Sequence, residues 1–215
     1  MNTFFVTGIG TEVGKTIASA ILTQALHADY WKPVQAGDLG NSDTDRIRSL
    51  VSDENTHFFP PAYALKHAMS PHAAAAFEEV EIDVDRIRRP QTSKNLVIEG
   101  AGGLLVPLND SSSILDLISP EDQVVLVSRH YLGSINHTLL SYECLTRRNL
   151  TCSGIIFNGD PVPSTEQIIL KRTNLPMIGR IHEEPFFSRE TVSRYAEIFE
   201  ARLVELGLVS KTGGI

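Results

Sequence analysis

The sequence predicts a doubly wound α/β fold, a mainly parallel sheet with helices on both faces. Three observations carry this. Short apolar runs of strand length alternate with longer amphipathic segments along the chain. Most of the runs are apolar on both faces, as strands are when helices cover both sides of a parallel sheet. The first run leads through a glycine-rich turn into Gly14-Lys15-Thr16 and then a helical pattern.

Taken in order, "FFV" (4–6) is the first strand. Ile17, Ile21, Leu22, Ala25 and Leu26 make the apolar stripe of the helix after Lys15. "YWKPV" (30–34) reads as a further strand, cut short by Pro33, which has no N–H for a ladder. Residues 36–95 are the least regular stretch, rich in Asp, Ser, Pro and Ala. Loops of that kind often carry function on a rigid scaffold. "LVI" (96–98) and "VVLV" (124–127) are strands. Ile135, Leu139, Tyr142 and Leu145 predict a helix with Ser134 as its N-cap. "GIIF" (154–157) is a strand, and Ser164 with Gln167 fits a capping box before a shorter helix. "MIGRI" (177–181) is the last strand. Val192, Tyr195, Ala196, Phe199, Leu203 and Leu206 line the final helix, with Gly207 as its C-cap. This rhythm implies right-handed crossovers. No linker divides the chain, so one α/β domain is expected over 1–210, with 211–215 as a disordered tail.

The bulk numbers exclude several classes. Of 215 residues, 42% are hydrophobic and 21% charged, which is ordinary for a globular protein with a core. Net charge is -7 and no Lys/Arg block could neutralise a run of phosphates, so nucleic acid is not an expected partner. The apolar runs are too short to span a bilayer, and no charged leader with a cleavage site precedes the first strand. A cytoplasmic protein is expected. Cys144 and Cys152 are the two cysteines, read as reduced thiols. The seven histidines show no metal spacing; His72 and His137 read as structural hydrogen-bonders.

The chemistry is concentrated in "VTGIGTEVGKTIAS" (6–19). A strand ending in glycine, a loop, and Gly-Lys-Thr entering a helix is the context of a phosphate-binding loop, so the fold is P-loop NTPase-like. Glycines let backbone N–H groups turn inward, and the helix start adds free donors and partial positive charge. Lys15 can reach the β- and γ-phosphates, and the Thr16 hydroxyl can ligate Mg²⁺. The spacing is unusual: five residues stand between Gly8 and Gly14, and three between Gly10 and Gly14. Glu12 would repel phosphates unless it faces away, binds a ribose hydroxyl or pairs with a cation.

Further stretches follow in order: "GTEVGKT" (10–16), "KPVQAG" (32–37), "NSD" (41–43), "SPH" (70–72), "EGAGG" (99–103), "LGSINH" (132–137) and "FNGD" (157–160). With these, the chain resembles the dethiobiotin synthetases from residue 3 to about 182. The resemblance implies a homodimeric, ATP- and Mg²⁺-dependent enzyme. It would take 7,8-diaminopelargonic acid and CO2 or bicarbonate to dethiobiotin, ADP and phosphate, through a carbamate and a carbamic-phosphoric anhydride. It implies Lys15, Lys32 and Thr11 as catalytic residues. It implies Thr16, Asp43 and Glu99 as magnesium ligands, with Asp45, Asp38 and a merely solvated acidic loop as open alternatives for Asp43. Nucleotide contacts would come from Glu12, Val13, Gly14, Lys15, Thr16, Ile17, Asp43, Glu99, Gly100, Ala101, Gly102, Asn158 and Gly159. An amide such as Asn158 can pair with an adenine edge, although a plain turn residue is the alternative. Substrate contacts would come from Lys32, Ala36, Gly37, Ser70, Gly102, Leu132 and Asn136, with "LGSINH" meeting the partner subunit's site.

Three departures stand out. Ala36 replaces a hydroxyl residue, segment 83–95 is short for a helix some relatives carry, and His182 replaces a proline, which leaves nucleotide contacts at 182–184 unassigned. His130 and Tyr131 have no role in this reading. The competing class is an ATP-driven dimerisation switch like the partition and division-site ATPases. Their loop carries an extra lysine where Gly10 stands. Ammonia-using relatives need a glutaminase domain for which this chain has no room.

Overall fold

A computed structural model describes residues 1–210. The expected tail at 211–215 lies outside them. Seven parallel strands form one sheet in the order β4-β2-β6-β1-β7-β8-β9. They are β1 (Thr3–Gly8), β2 (Asp29–Trp31), β4 (Phe58–Phe59), β6 (Leu96–Gly103), β7 (Gln123–Arg129), β8 (Cys152–Asn158) and β9 (Met177–Ile181). A separate parallel pair joins β3 (Val34–Ala36) to β5 (Tyr63–Leu65). The helices are α1 (Lys15–Ala25), α2 (Asp43–Leu50), α3 (Pro71–Phe77), α4 (Ser134–Arg147), α5 (Pro163–Thr173) and α6 (Arg189–Glu205).

Alternation along the strands feeds two cores. Phe4 and Val6 pack with α1 and α6, while Phe5, between them, packs with Ile98, Ala74 and Leu145 on the other face. All three β1 residues are fully buried. Burying each large apolar side chain is worth about 1.5–3 kcal/mol. No helix of the described residues is long and apolar enough to cross a membrane.

Several predicted boundaries move. "YWKPV" is split by Pro33 into β2 and β3, which belong to different sheets. Pro33 turns its carbonyl toward the Ala62 and Tyr63 N–H groups instead. The irregular stretch 36–95 contains β4, β5, α2 and α3. Helix α4 is capped by Gly133 at φ 105, and Ser134 is its first residue. Its buried residues are Ser134, Thr138 and Leu145; of the predicted stripe Leu145 is buried, Leu139 and Tyr142 are half-buried, and Ile135 points outward, because Thr138 takes the inner face and hydrogen-bonds Ser128 on β7 at 2.9 Å. Helix α5 starts at Pro163 after Val162, without a capping box at Ser164. Gly207 behaves as expected of a terminal glycine. It takes φ 69, its N–H reaches Val204 O, and Leu208 N–H reaches Leu203 O, the paired bonds that close a helix C-terminus.

Candidate active site

The central strand β1 lies between β6 and β7, so its carboxyl end opens onto the crevice where sheets of this kind bind ligands. The β1–β6 ladder is regular only to the Val6–Glu99 pair and resumes at Gly8–Gly103. The bulge between them lifts residues 100–102 toward the loop that follows β1. Glu99 therefore closes the regular ladder, as its position after "NLVI" suggests.

A cavity of about 680 Å³ occupies this crevice. It is lined by Thr11, Glu12, Gly14, Lys15, Thr16, Ile17, Lys32, Ala36, Asp43, Ser70, Glu99, Ala101 and Gly102, all singled out from sequence. Glu12 sits at φ 57 and Gly14 at φ 97, a left-handed bend that turns the loop into α1. A Cβ at Gly14 would stand 2.3 Å from the Asn158 amide, so only glycine fits. Lys15 folds back on its loop and donates to Gly10 O at 2.9 Å. Burial, with Lys32 nearby and against the pull of Glu99 and Asp43, lowers its pKa to about 8.

At the heart of the cavity are one hydroxyl, two carboxylates and an amine. Thr16 Oγ1 donates to Asp43 Oδ1 at 2.9 Å and lies 3.2 Å from Glu99 Oε1. Lys32 Nζ is 2.7 Å from Asp43 Oδ2 and 3.0 Å from Glu99 Oε1. Glu99 is 1% exposed and Lys32 4%. Charges so deeply buried are tolerable only when paired and fully hydrogen-bonded. Burial alone would lower the lysine pKa, but the two carboxylates outweigh it and raise it. Burial likewise opposes Asp43, yet Lys32 holds its carboxyl below the usual range. Asp45 is occupied elsewhere: it closes a capping box with Ser42 and pairs with Arg48 at 2.8 Å. Among the acidic candidates, Asp43 is the one at Thr16 and Lys32. Two carboxylates and a hydroxyl suit a hard cation that keeps part of its water, and no cluster of three His, Cys, Asp or Glu ligands occurs among the described residues.

The remaining predicted residues stand outside the cavity lining. Val13 is 2% exposed and packs into the core beneath the loop. Gly100 faces Ile114 and Phe5. Gly37, at φ 81, passes so close to Ala68 that a Cβ would clash at 2.6 Å. Asn158 donates its amide to Val13 O at 2.9 Å and so braces the loop from behind; Gly159 follows at φ 101. Leu132 and Asn136 lie on the outer surface at the start of α4, with Leu132 fully exposed.

Sequence reading missed several groups here. Gln35 bridges the site loop, donating to Gly37 O at 3.0 Å and accepting from the Asp43 N–H at 3.4 Å. Tyr30 donates its hydroxyl to Glu99 Oε2 at 3.0 Å. Burial and the charge of Glu99 keep that hydroxyl protonated, well above the usual phenol range. Its signal was the two-residue spacing from Lys32, which puts both on one side of an extended chain. His130 now has a setting as well: its Nε2 meets Glu166 Oε1 at 2.9 Å. Arg180 meets Glu166 Oε2 at 2.5 Å and donates to Gly159 O at 3.1 Å, clamping the turn after β8.

Comparison with known proteins fits this geometry. An AAA domain family model matches residues 2–191. The chain is 57% identical over 203 residues to the ATP-dependent dethiobiotin synthetase of Christiangramia forsetii, covering 94% of this chain and 98% of that one. It is 52% identical over 198 residues to that of Cytophaga hutchinsonii, covering 91% and 96%. Among solved structures, the septum site-determining protein MinD of Pyrococcus horikoshii, complexed with Mg-ADP, superposes with a TM-score of 0.62. It covers 100% of this chain and 99% of that one, at 17% identity, a likeness of fold alone. With high identity sustained from end to end, this chain belongs to the dethiobiotin synthetase family.

Proposed function

We propose that the protein forms dethiobiotin from 7,8-diaminopelargonic acid, CO2 and ATP, releasing ADP and phosphate. The observation that carries this is the meeting of Lys15, Lys32, Thr16, Asp43 and Glu99 in one cavity at the end of β1. Phosphoryl transfer needs little covalent help and much positioned positive charge, which two lysines supply.

One substrate amine captures CO2 as a carbamate. The carbamate oxygen attacks the γ-phosphorus of ATP, giving a carbamic-phosphoric anhydride and ADP. The second amine then attacks the carbamate carbon, closes the ring and expels phosphate. Lys15 holds the transferred phosphoryl group. Lys32, beside it, draws the carbamate toward the same phosphate and offsets charge on both. Thr11 and Glu12 present the loop to nucleotide and substrate. Ala36, Ser70 and Gly102 form the substrate wall, backed by Gly37, and Asn158 and Gly159 bound the nucleotide side. Thr16, Asp43 and Glu99 would hold Mg²⁺, which neutralises the β- and γ-phosphates when bound.

Leu132, just before α4, and Asn136 in its first turn are exposed and stand outside this chain's own cavity lining. They serve a partner's site in a homodimer, and the protein acts in the cytoplasm. The test is phosphate release measured with ATP and each co-substrate omitted in turn. Release should need both bicarbonate and the diamine, with labelled bicarbonate carbon recovered in the ring. ATP turnover indifferent to both would reject the reading.

A further inference from the structure

Glu99 has two carboxylate oxygens, and the fold treats them differently. Oε1 faces Thr16 Oγ1 and Lys32 Nζ, at 3.2 and 3.0 Å. Oε2 faces away and accepts from Tyr30 Oη at 3.0 Å. Tyr30 is fully buried on β2, next to β6. A terminal carboxylate turns easily about its last bond, since that torsion is broad and roughly two-fold. Without a donor at Oε2, the charged group would swing to share both oxygens with Lys32, or leave a buried acceptor unpaired.

We propose that Tyr30 is a positioning residue that locks the rotation of Glu99 and so presents Oε1 alone to the cation site. The inference rests on the reading of Glu99 as a magnesium ligand. Groups that orient a metal's ligands often matter almost as much as the ligands. The plain alternative is that Tyr30 merely fills the core. Its ring packs against Phe58, with centroids 6.0 Å apart, which any aromatic could do.

The two roles separate by experiment. ADP affinity is measured by calorimetry at saturating and at zero Mg²⁺, and the ratio reads how far the metal strengthens binding. Tyr30→Phe keeps the ring and removes one hydroxyl, so the core stays filled. It should leave metal-free affinity unchanged and cut the Mg²⁺ enhancement by about tenfold. Glu99→Gln should cut it at least as much, and the double variant should lose no more than Glu99→Gln alone, because Tyr30 acts through Glu99. Phe58→Leu, which disturbs the same packing, should leave the enhancement as in the parent protein. Wild-type enhancement in Tyr30→Phe with a loss in Glu99→Gln overturns the proposal and keeps Glu99 as a ligand. An equal loss in Phe58→Leu overturns it in favour of packing. Wild-type enhancement in Glu99→Gln removes the metal reading and the proposal together.

Discussion

The ammonium of Lys15 is held unusually close to neutrality, with its pKa lowered to about 8 by burial. Phosphates favour the charged form, so the bound state keeps its proton to higher pH than the free state. Below pH 8 both states are protonated and affinity is flat. Above it the free protein must take up a proton on binding, and affinity falls by up to about tenfold per pH unit. Calorimetry of ADP binding in two buffers of different ionisation heat should find near-zero proton uptake at pH 7 and close to one proton at pH 9. Absent uptake at pH 9 would contradict the lowered value. Lys32 is the opposite case, raised by Glu99 and Asp43, so it stays charged throughout. Lys32→Ala should lose about 10² or more in turnover, since it removes charge stabilisation from the transition state and leaves buried Glu99 and half-buried Asp43 without their shared cation. Near-wild-type turnover would remove it from the catalytic group. Lys15 and Thr16 were legible from the Gly-Lys-Thr entry into a helix, whereas Asp43 and Glu99 were named through the family resemblance, with Asp45 and Asp38 left open beside Asp43. Tyr30 and Gln35 were not, because a buried aromatic and a strand glutamine look like packing until their partners, distant in sequence, are in place.

Among the elements, long periodic segments were legible and short ones were not. Strands β1, β7 and β8 are apolar on both faces, and that pattern admits little else. Strand β4 has two residues and gets its place from pairing with β2, not from its own sequence. The N-caps of α4 and α5 were misplaced because a left-handed glycine and an N-terminal proline start those helices, with no side-chain cap. Helix α6 was legible in its buried stripe from Val192 to Leu203 though not in its Ser188 cap, and it shows how packing constrains the strand beneath it. A Cβ on Gly179 of β9 would stand 2.4 Å from Phe199 Cε2, inside a ring that is fully buried. Gly179→Ala should therefore cost about 1–3 kcal/mol through overpacking. A urea titration should show a lower midpoint with an unchanged slope. An unmoved midpoint would mean that α6 can shift away freely.

For the molecule as a whole, topology does not assign the task. The septum site-determining protein MinD shares the fold at 17% identity, and a shared fold does not carry a shared function. The chemistry lies in placed charge: Lys15 comes from the phosphate loop, and Lys32 reaches the same cavity from just beyond the end of β2. Assembly was the least legible level, because α4 reads as an ordinary amphipathic helix until its inward face is known. That face is Ser134, Thr138 and Leu145, which leaves Leu132, Ile135 and Leu140 exposed, the last at 56%. With a net charge of -7, two copies repel at long range, but at physiological salt that repulsion is screened beyond about 8 Å. The apolar surface must then drive any pairing, at about 1.5–3 kcal/mol for each large side chain buried. Ile135→Asp combined with Leu140→Asp would place four carboxylates in a two-fold interface. On the proposed homodimer, the variant should sediment as a monomer where the parent sediments as a dimer. Its turnover should fall by more than about tenfold if Leu132 and Asn136 complete the neighbouring site, a loss of positioning. ADP binding should stay at the parent value, because the phosphate loop and its lysine belong to one chain. A variant that still sediments as the parent does would assign the pairing surface to some other part of the molecule.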